Sequence, residues 1–148
     1  MTAATYLHTN LVAADWQRLA RFYEDVFGCT PVLPERNYQG EWLGQGTGVP
    51  GAALRGIHLR LPGWGETGPT LEIFTYEEMP GRPAPAANRP GIGHLAFSVP
   101  DVAAARAAVL EAGGQDLGEI VQVDVPGRGA LHFIYMTDPE GNIIELQT

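Results

Sequence analysis

The sequence predicts an α+β fold in which one βαβββ pattern occurs twice, in residues 1–79 and again in residues 92–148. Each half opens with a short apolar strand, continues into a helix and ends with three further strands. A segment with four prolines, residues 80–91, separates the halves and predicts an extended linker. At 148 residues the chain suits one structural domain built from two modules.

The first half starts with a predicted strand, Tyr6–Val12. Asp15 is a typical helix N-cap, and from Trp16 to Phe27 the apolar residues recur at helical spacing. Gly28 is a natural stop for this helix, and Cys29–Leu33 begins the next strand.

A glycine-rich stretch, Gly40–Gly51, follows and predicts a long surface loop. Two further strands are expected at Ala53–Leu61 and Thr70–Tyr76, with a turn-rich segment between them.

The second half repeats this order. A strand is expected at Ile92–Val99, then Asp101 as an N-cap and an alanine-rich helix over Val102–Ala112, which Gly113 and Gly114 end. The last three predicted strands are Ile120–Val125, Ala130–Thr137 and Asn142–Gln147.

Aligning the two halves places His8 against His94 and Glu72 against Glu145. Strand alternation puts His94, Ala96 and Ser98 on one face, away from the apolar residues that a helix would cover. Glutamate is rare within an apolar strand unless it is paired or bound to a metal, and two imidazoles with two carboxylates suit a divalent ion. The alternative is a metal-free protein with a polar trough.

Charge and composition limit the classes of partner that the protein can bind. The net charge is −8, from 9 basic and 17 acidic residues, which argues against nucleic acid or an anionic membrane as partner. The single cysteine, Cys29, excludes an internal disulfide. No signal peptide or membrane span is evident, so we expect a cytoplasmic protein. The polar strand face of His94 predicts a small-molecule substrate as the partner.

The sequence resembles the vicinal oxygen chelate superfamily, which includes glyoxalase I, methylmalonyl-CoA epimerase, extradiol dioxygenases and the fosfomycin- and bleomycin-resistance proteins. The resemblance covers almost the whole chain. The segments that carry it are His8–Val12, Leu71–Ile73, Gly93–Phe97 and Asp138–Asn142 leading to Glu145.

This resemblance implies that the two modules form a cupped, incomplete mixed β-barrel with the helices outside. It implies that His8, Glu72, His94 and Glu145 bind one divalent metal, which could be Ni, Co, Zn, Mn or Fe. It also implies a homodimer, in which the site lies within one chain or is shared by two.

The implied activity is that of a metal-dependent lyase or isomerase of the glyoxalase I or methylmalonyl-CoA epimerase type. Such an enzyme chelates vicinal oxygens of a small substrate and stabilises an enolate or enediolate. Glu145 and Glu72 are the candidate catalytic residues. The alternatives are a metal-free drug-binding protein of the bleomycin-resistance type and an extradiol-type dioxygenase.

Six residues are candidate walls of the substrate pocket: Phe74, Tyr76, Ala96, Ser98, His58 and His132. The two histidines are expected to be approximate repeat mates on the third strands; exposed strand residues are the alternative. Arg60 and Arg128 are candidates, by position alone, for holding glutathione carboxylates. Their other interpretation is as solvated charges.

Overall fold

The computed structural model describes residues 3–148 and confirms the predicted α+β class. The chain divides into two compact units, one ending at Gly81 and the other spanning Arg82–Thr148. Met1 and Thr2, with which the predicted first module begins, lie outside the described residues. Residues 80–91 contain no helix or strand, and their role as a linker stays a prediction. Among residues 3–148, no helix has both the length and the apolarity needed to cross a membrane.

The first unit contains a four-stranded sheet with the order β1-β4-β3-β2, in which β1 and β4 are parallel and the other pairs antiparallel. Its elements are β1 His8–Val12, α1 Trp16–Phe27, β2 Thr30–Gln39, α2 Glu41–Thr47, β3 Ala53–Arg60 and β4 Thr70–Tyr76.

Helix α1 has the predicted bounds for the predicted reasons. The Asp15 side chain accepts a hydrogen bond from the Arg18 backbone N–H at 3.0 Å, and Gly28 ends the helix in the left-handed region at φ 69°. Leu19 and Tyr23 are fully buried on the helix face that packs on β3 and β4. The apolar stripe therefore covers one face of the sheet and leaves the other face to different residues.

The predicted surface loop over Gly40–Gly51 is wrong, because residues Glu41–Thr47 form helix α2. Leu43 is buried and joins Leu54 and Phe74 in an apolar cluster. Packing of this one side chain outweighs the low helix propensity of Gly44 and the other glycines.

The second unit repeats the sheet, with the order β5-β9-β8-β6 and with β7 also paired to β8. Its elements are β5 Leu95–Ser98, α3 Val102–Glu111, β6 Gln115–Asp116, β7 Val121–Val125, β8 Gly129–Thr137 and β9 Ile143–Gln147. The strand predicted from Ile92 begins only at Leu95, so His94 immediately precedes it. The short strand β6 was not expected; β6 and β7 together take the place that β2 has in the first unit.

Strand register confirms the repeat. Asn10 pairs with Glu72 in the first unit and Ala96 pairs with Glu145 in the second. His8 lies two residues before Asn10, and His94 lies two residues before Ala96. The two histidines therefore occupy equivalent places in the two units.

The same register corrects one expectation. His58 pairs with Glu72, and the residue that pairs with Glu145 is Tyr135. The repeat mate of His58 is therefore Tyr135 and not His132, which lies three positions earlier on β8. An odd offset along a strand places a side chain on the opposite face.

The core of the second unit lies between α3 and the sheet face opposite Glu145. Ile134, Met136, Ile144 and Leu146 are almost completely buried there with Val109 of the helix. The glutamate in each unit thus points from the sheet face that its long helix does not cover.

Candidate metal centre

Glu72 lies in the middle of β4 and its carboxylate collects three polar neighbours. Asn10 Nδ2 donates to Oε2 at 3.0 Å, His58 Nε2 lies 3.0 Å from Oε1 and His8 Nε2 lies 3.5 Å from Oε2. The Glu72 side chain is 16% exposed. Strand pairing explains the cluster, because Asn10, Glu72 and His58 stand side by side on three neighbouring strands.

His8, His58 and Glu72 offer donor atoms that all lie within 4.8 Å of one another. Two imidazole nitrogens and one carboxylate form a donor set that suits Zn²⁺, Fe²⁺, Ni²⁺ or another borderline divalent ion. The second ring nitrogen of His58, Nδ1, lies 3.2 Å from Thr70 Oγ1, where an outer partner orients a metal-binding ring. The residues present therefore fit a divalent ion.

Burial lowers the pKa of His58, and the positive charge of Arg36 lowers it further, while Glu72 opposes both effects. A lowered pKa keeps the imidazole neutral around pH 7, and a neutral imidazole is the form that binds a metal. The environment of His58 thus favours the ligand-competent state.

The second unit holds an equivalent pair. His94 Nε2 lies 2.9 Å from Glu145 Oε2, and both side chains are partly buried. The ring of Tyr135 lies 4.8 Å from the ring of His94, where the first unit has His58 against His8 at 5.6 Å. The second unit therefore repeats the histidine–glutamate pair and replaces the third donor by a phenol.

The model of the Glyoxalase/Bleomycin resistance protein/Dioxygenase superfamily matches residues 5–146. This chain belongs to that superfamily. A probable lactoylglutathione lyase from Vibrio parahaemolyticus is 27% identical, and the alignment covers 99% of this chain and 91% of that protein.

Two solved structures show the same superfamily fold. A glyoxalase family protein from Bacillus cereus has a TM-score of 0.82 at 18% identity, over 99% of this chain and 95% of that one. A fosfomycin resistance protein, FosX, from Listeria monocytogenes was solved with Mn(II) and a sulfate ion; its TM-score is 0.54 at 12% identity, over 100% of this chain and 93% of that one.

In this glyoxalase superfamily member, the predicted pocket residues fall into different places. Ala96 and Ser98 are exposed on the face of Glu145. Phe74 shares the face of Glu72, but it is buried under α2 with Leu54, and Tyr76 packs beside it. His58 lies at the candidate metal centre.

His132 lies apart from this group. Its side chain is on the opposite face of β8 from Tyr135, and it lines a cavity of about 280 Å³ with Asp101 and Ile120. The structure therefore does not bring His132 together with Glu145.

A larger cavity of about 830 Å³ lies beside α2, lined by residues such as Gln39, Gly44 and Glu77. It has no histidine in its lining. The size of a cavity therefore does not identify the candidate metal centre of the first unit.

Sequence reasoning missed four residues near the glutamates: Asn10, Thr70, Tyr135 and Arg36. The alternation of β1 already places Asn10 with His8, so that signal was present. Thr70, Tyr135 and Arg36 depend on cross-strand register, which a single sequence does not display.

Proposed function

We propose that this protein is a divalent-metal-dependent lyase or isomerase that moves a proton next to a carbonyl of a small substrate. The observation that carries the proposal is the gathering of His8, His58 and Glu72 on one sheet face. The similarity to a probable lactoylglutathione lyase supports the reaction class.

In this proposal His8, His58 and Glu72 hold the ion in the first unit. The bound ion would supply Lewis acidity, polarising substrate oxygens so that an adjacent C–H bond loses its proton more easily. Asn10 fixes the Glu72 carboxylate by donating to both its side chain and its backbone oxygen, at 3.0 and 3.2 Å. Thr70 fixes the His58 ring.

His94 and Glu145 are proposed as reaction residues of the second unit. A carboxylate 2.9 Å from an imidazole can accept a proton and share it with the ring. Ala96 and Ser98 are small and exposed on the same face, which leaves space beside this pair. The resemblance implies that His94 and Glu145 are metal ligands. Substituting either residue tests both roles, because loss of metal indicates a ligand and loss of activity alone indicates a proton-transfer residue.

The test is hydrogen exchange into a small substrate with neighbouring oxygens, such as hydroxyacetone, in D₂O. We expect the metal-loaded protein to catalyse exchange at the carbon beside the carbonyl, and chelation to stop it. Glu72→Gln should slow exchange by at least about a hundredfold, since Glu72 is proposed both as a ligand of the ion and as a candidate catalytic carboxylate. Exchange that persists at full rate after chelation would contradict the proposal.

An extradiol-type dioxygenase is the second candidate, and one observation favours it. Two histidines and one carboxylate with open positions are the donor set of many non-haem iron oxygenases. Oxygen uptake with catechol after loading with Fe²⁺ would support this activity over proton transfer.

The expected homodimer belongs to the same proposal. Val121 and Val123 on β7 are 42% and 43% exposed, and exposed apolar strand residues are typical of an interface. Light scattering after gel filtration measures the mass directly; a mass of one chain at micromolar concentration would contradict the dimer.

A further inference from the structure

The strand face that carries the candidate metal centre also carries arginines, although the chain as a whole has a net charge of −8. Arg36 of β2 pairs with Gly56, and Arg60 of β3 pairs with Thr70. Register places both on the face of Glu72. Apart from its histidines, the charged strand residues of this face are two arginines and one glutamate, so the face is locally positive.

An irregularity in β2 sets the position of Arg36 opposite Gly56. Val32 pairs with His58, and the next paired residue, Arg36, faces Gly56. Residues 33–35 therefore bulge out of the strand. Such bulges redirect side chains and are common beside functional sites. Arg36 is half-buried, and it pairs with Gly56, two residues from His58 on β3.

No carboxylate neutralises Arg36 among residues 3–148. Its hydrogen bond goes to the backbone carbonyl of Pro34, two residues earlier. Arg60 likewise donates to a backbone carbonyl, that of Gly68. By contrast, the exposed Arg106 forms an ion pair with Asp116. A half-buried guanidinium without a carboxylate retains donors for an outside anion.

The second unit shows that the fold does not require these charges. The register makes Val121 the counterpart of Arg36 and Thr137 the counterpart of Arg60. The same sheet is thus built with a valine and a threonine at these places. The first unit has two cations near the candidate metal centre where the second unit has side chains that favour strands.

We propose that the first unit binds an anionic substrate, and that Arg36 holds its carboxylate or phosphate group beside His8, His58 and Glu72. This inference rests on the proposed function, because it names the substrate class of the same site. The planar guanidinium provides two parallel donors, which match the oxygens of either group.

The experiment compares Arg36→Val with Arg55→Val in the full chain loaded with Mn²⁺. The first variant installs the residue that the repeat uses at this place. The second is the matched control, because Arg55 is exposed and lies on the opposite face of β3. Calorimetry would measure binding of inorganic phosphate and of pyruvate, with uncharged hydroxyacetone as the neutral probe.

We expect Arg36→Val to weaken the tighter of the two anions by about tenfold or more, as expected for a lost charge-assisted hydrogen bond. Arg55→Val should change it less than about twofold, since an exposed charge on the opposite face of the sheet is screened by solvent and salt. Arg36→Lys keeps the positive charge but loses the two parallel donors of the guanidinium. Its anion affinity should therefore lie between those of wild type and Arg36→Val. Tighter phosphate indicates a phosphate group, and tighter pyruvate a carboxylate.

Equal affinities in wild type and Arg36→Val, or equal losses in both valine variants, would overturn the inference, as would the absence of anion binding to the wild type. Metal content is measured separately on the same samples. A protein that binds no metal but needs Arg36 for anion binding would sink the proposed function and leave the anion site standing. Metal binding together with an anion affinity that does not depend on Arg36 would overturn the anion site and leave the proposed function standing.

Discussion

Substitution of Asp138 tests how the second unit holds β9, the strand that carries Glu145, in place. The Asp138 side chain is 2% exposed in the turn between β8 and β9. Oδ1 accepts from the backbone N–H groups of Glu140 and Asn142, both at 2.9 Å, and Oδ2 accepts from Asn142 Nδ2 at 2.7 Å. The turn leads directly into β9, which carries Glu145.

Asp138→Ala leaves these partly buried donors without an acceptor. A hydrogen bond to a charged group contributes about 1.5–3 kcal/mol, and because the three bonds are not additive we expect a loss of about 4 kcal/mol in the free energy of unfolding. For a chain of this length the melting temperature should fall by roughly 10 °C.

The matched control is Asp116→Ala, which removes a carboxylate from the exposed ion pair with Arg106. An exposed ion pair is screened by solvent and contributes little, so its melting temperature should change far less than that of Asp138→Ala. Urea unfolding followed by circular dichroism measures both variants. If Asp138→Ala costs no more than Asp116→Ala, the buried hydrogen bonds do not stabilise the turn and the reasoning is refuted.

Two further predictions concern the first unit. Burial, with a smaller effect from Glu24, raises the pKa of the Cys29 thiol from 9.0 to about 11, so the native protein should react far more slowly than the urea-unfolded protein with a thiol reagent at pH 8. The stabilisation from the neutral thiol is complete below pH 9.0 and is lost as the pH rises through about 11; a native reaction rate equal to the unfolded rate would refute the burial argument. Leu43→Ala should cost about 2–3 kcal/mol in urea unfolding, because this side chain fixes α2 on Leu54 and Phe74; a cost under about 0.5 kcal/mol would show that α2 does not depend on it.

Much of the fold could be predicted because local signals and packing agree. Asp15 and Gly28 bound α1 as expected, and the apolar alternation of β4 gave its limits directly. Helix α2 was missed because its glycines favour a loop, whereas the burial of Leu43 with Leu54 and Phe74 stabilises the helix.

The pairs of the candidate site were predictable and their surroundings were not. Aligning the two halves places His8 against His94 and Glu72 against Glu145, and strand register confirms that equivalence. Two features depend on the register between strands that are distant in sequence. His58 lies opposite Glu72, and Tyr135 is the repeat equivalent of His58. The bulge at residues 33–35 decides that Arg36 pairs with Gly56, and a single sequence does not display such a register shift.

The central claim is that His8, His58 and Glu72 bind a divalent ion, and metal content measured by mass spectrometry tests it most directly. The comparison is between wild type, His58→Tyr, which installs the residue of the repeat mate, and His132→Tyr as the histidine on the opposite face. We predict about one ion per chain in wild type and His132→Tyr, and loss of the ion in His58→Tyr under the same dialysis. A metal-free wild type after growth with added divalent ions, or a His58→Tyr variant that retains the full complement, would contradict the account.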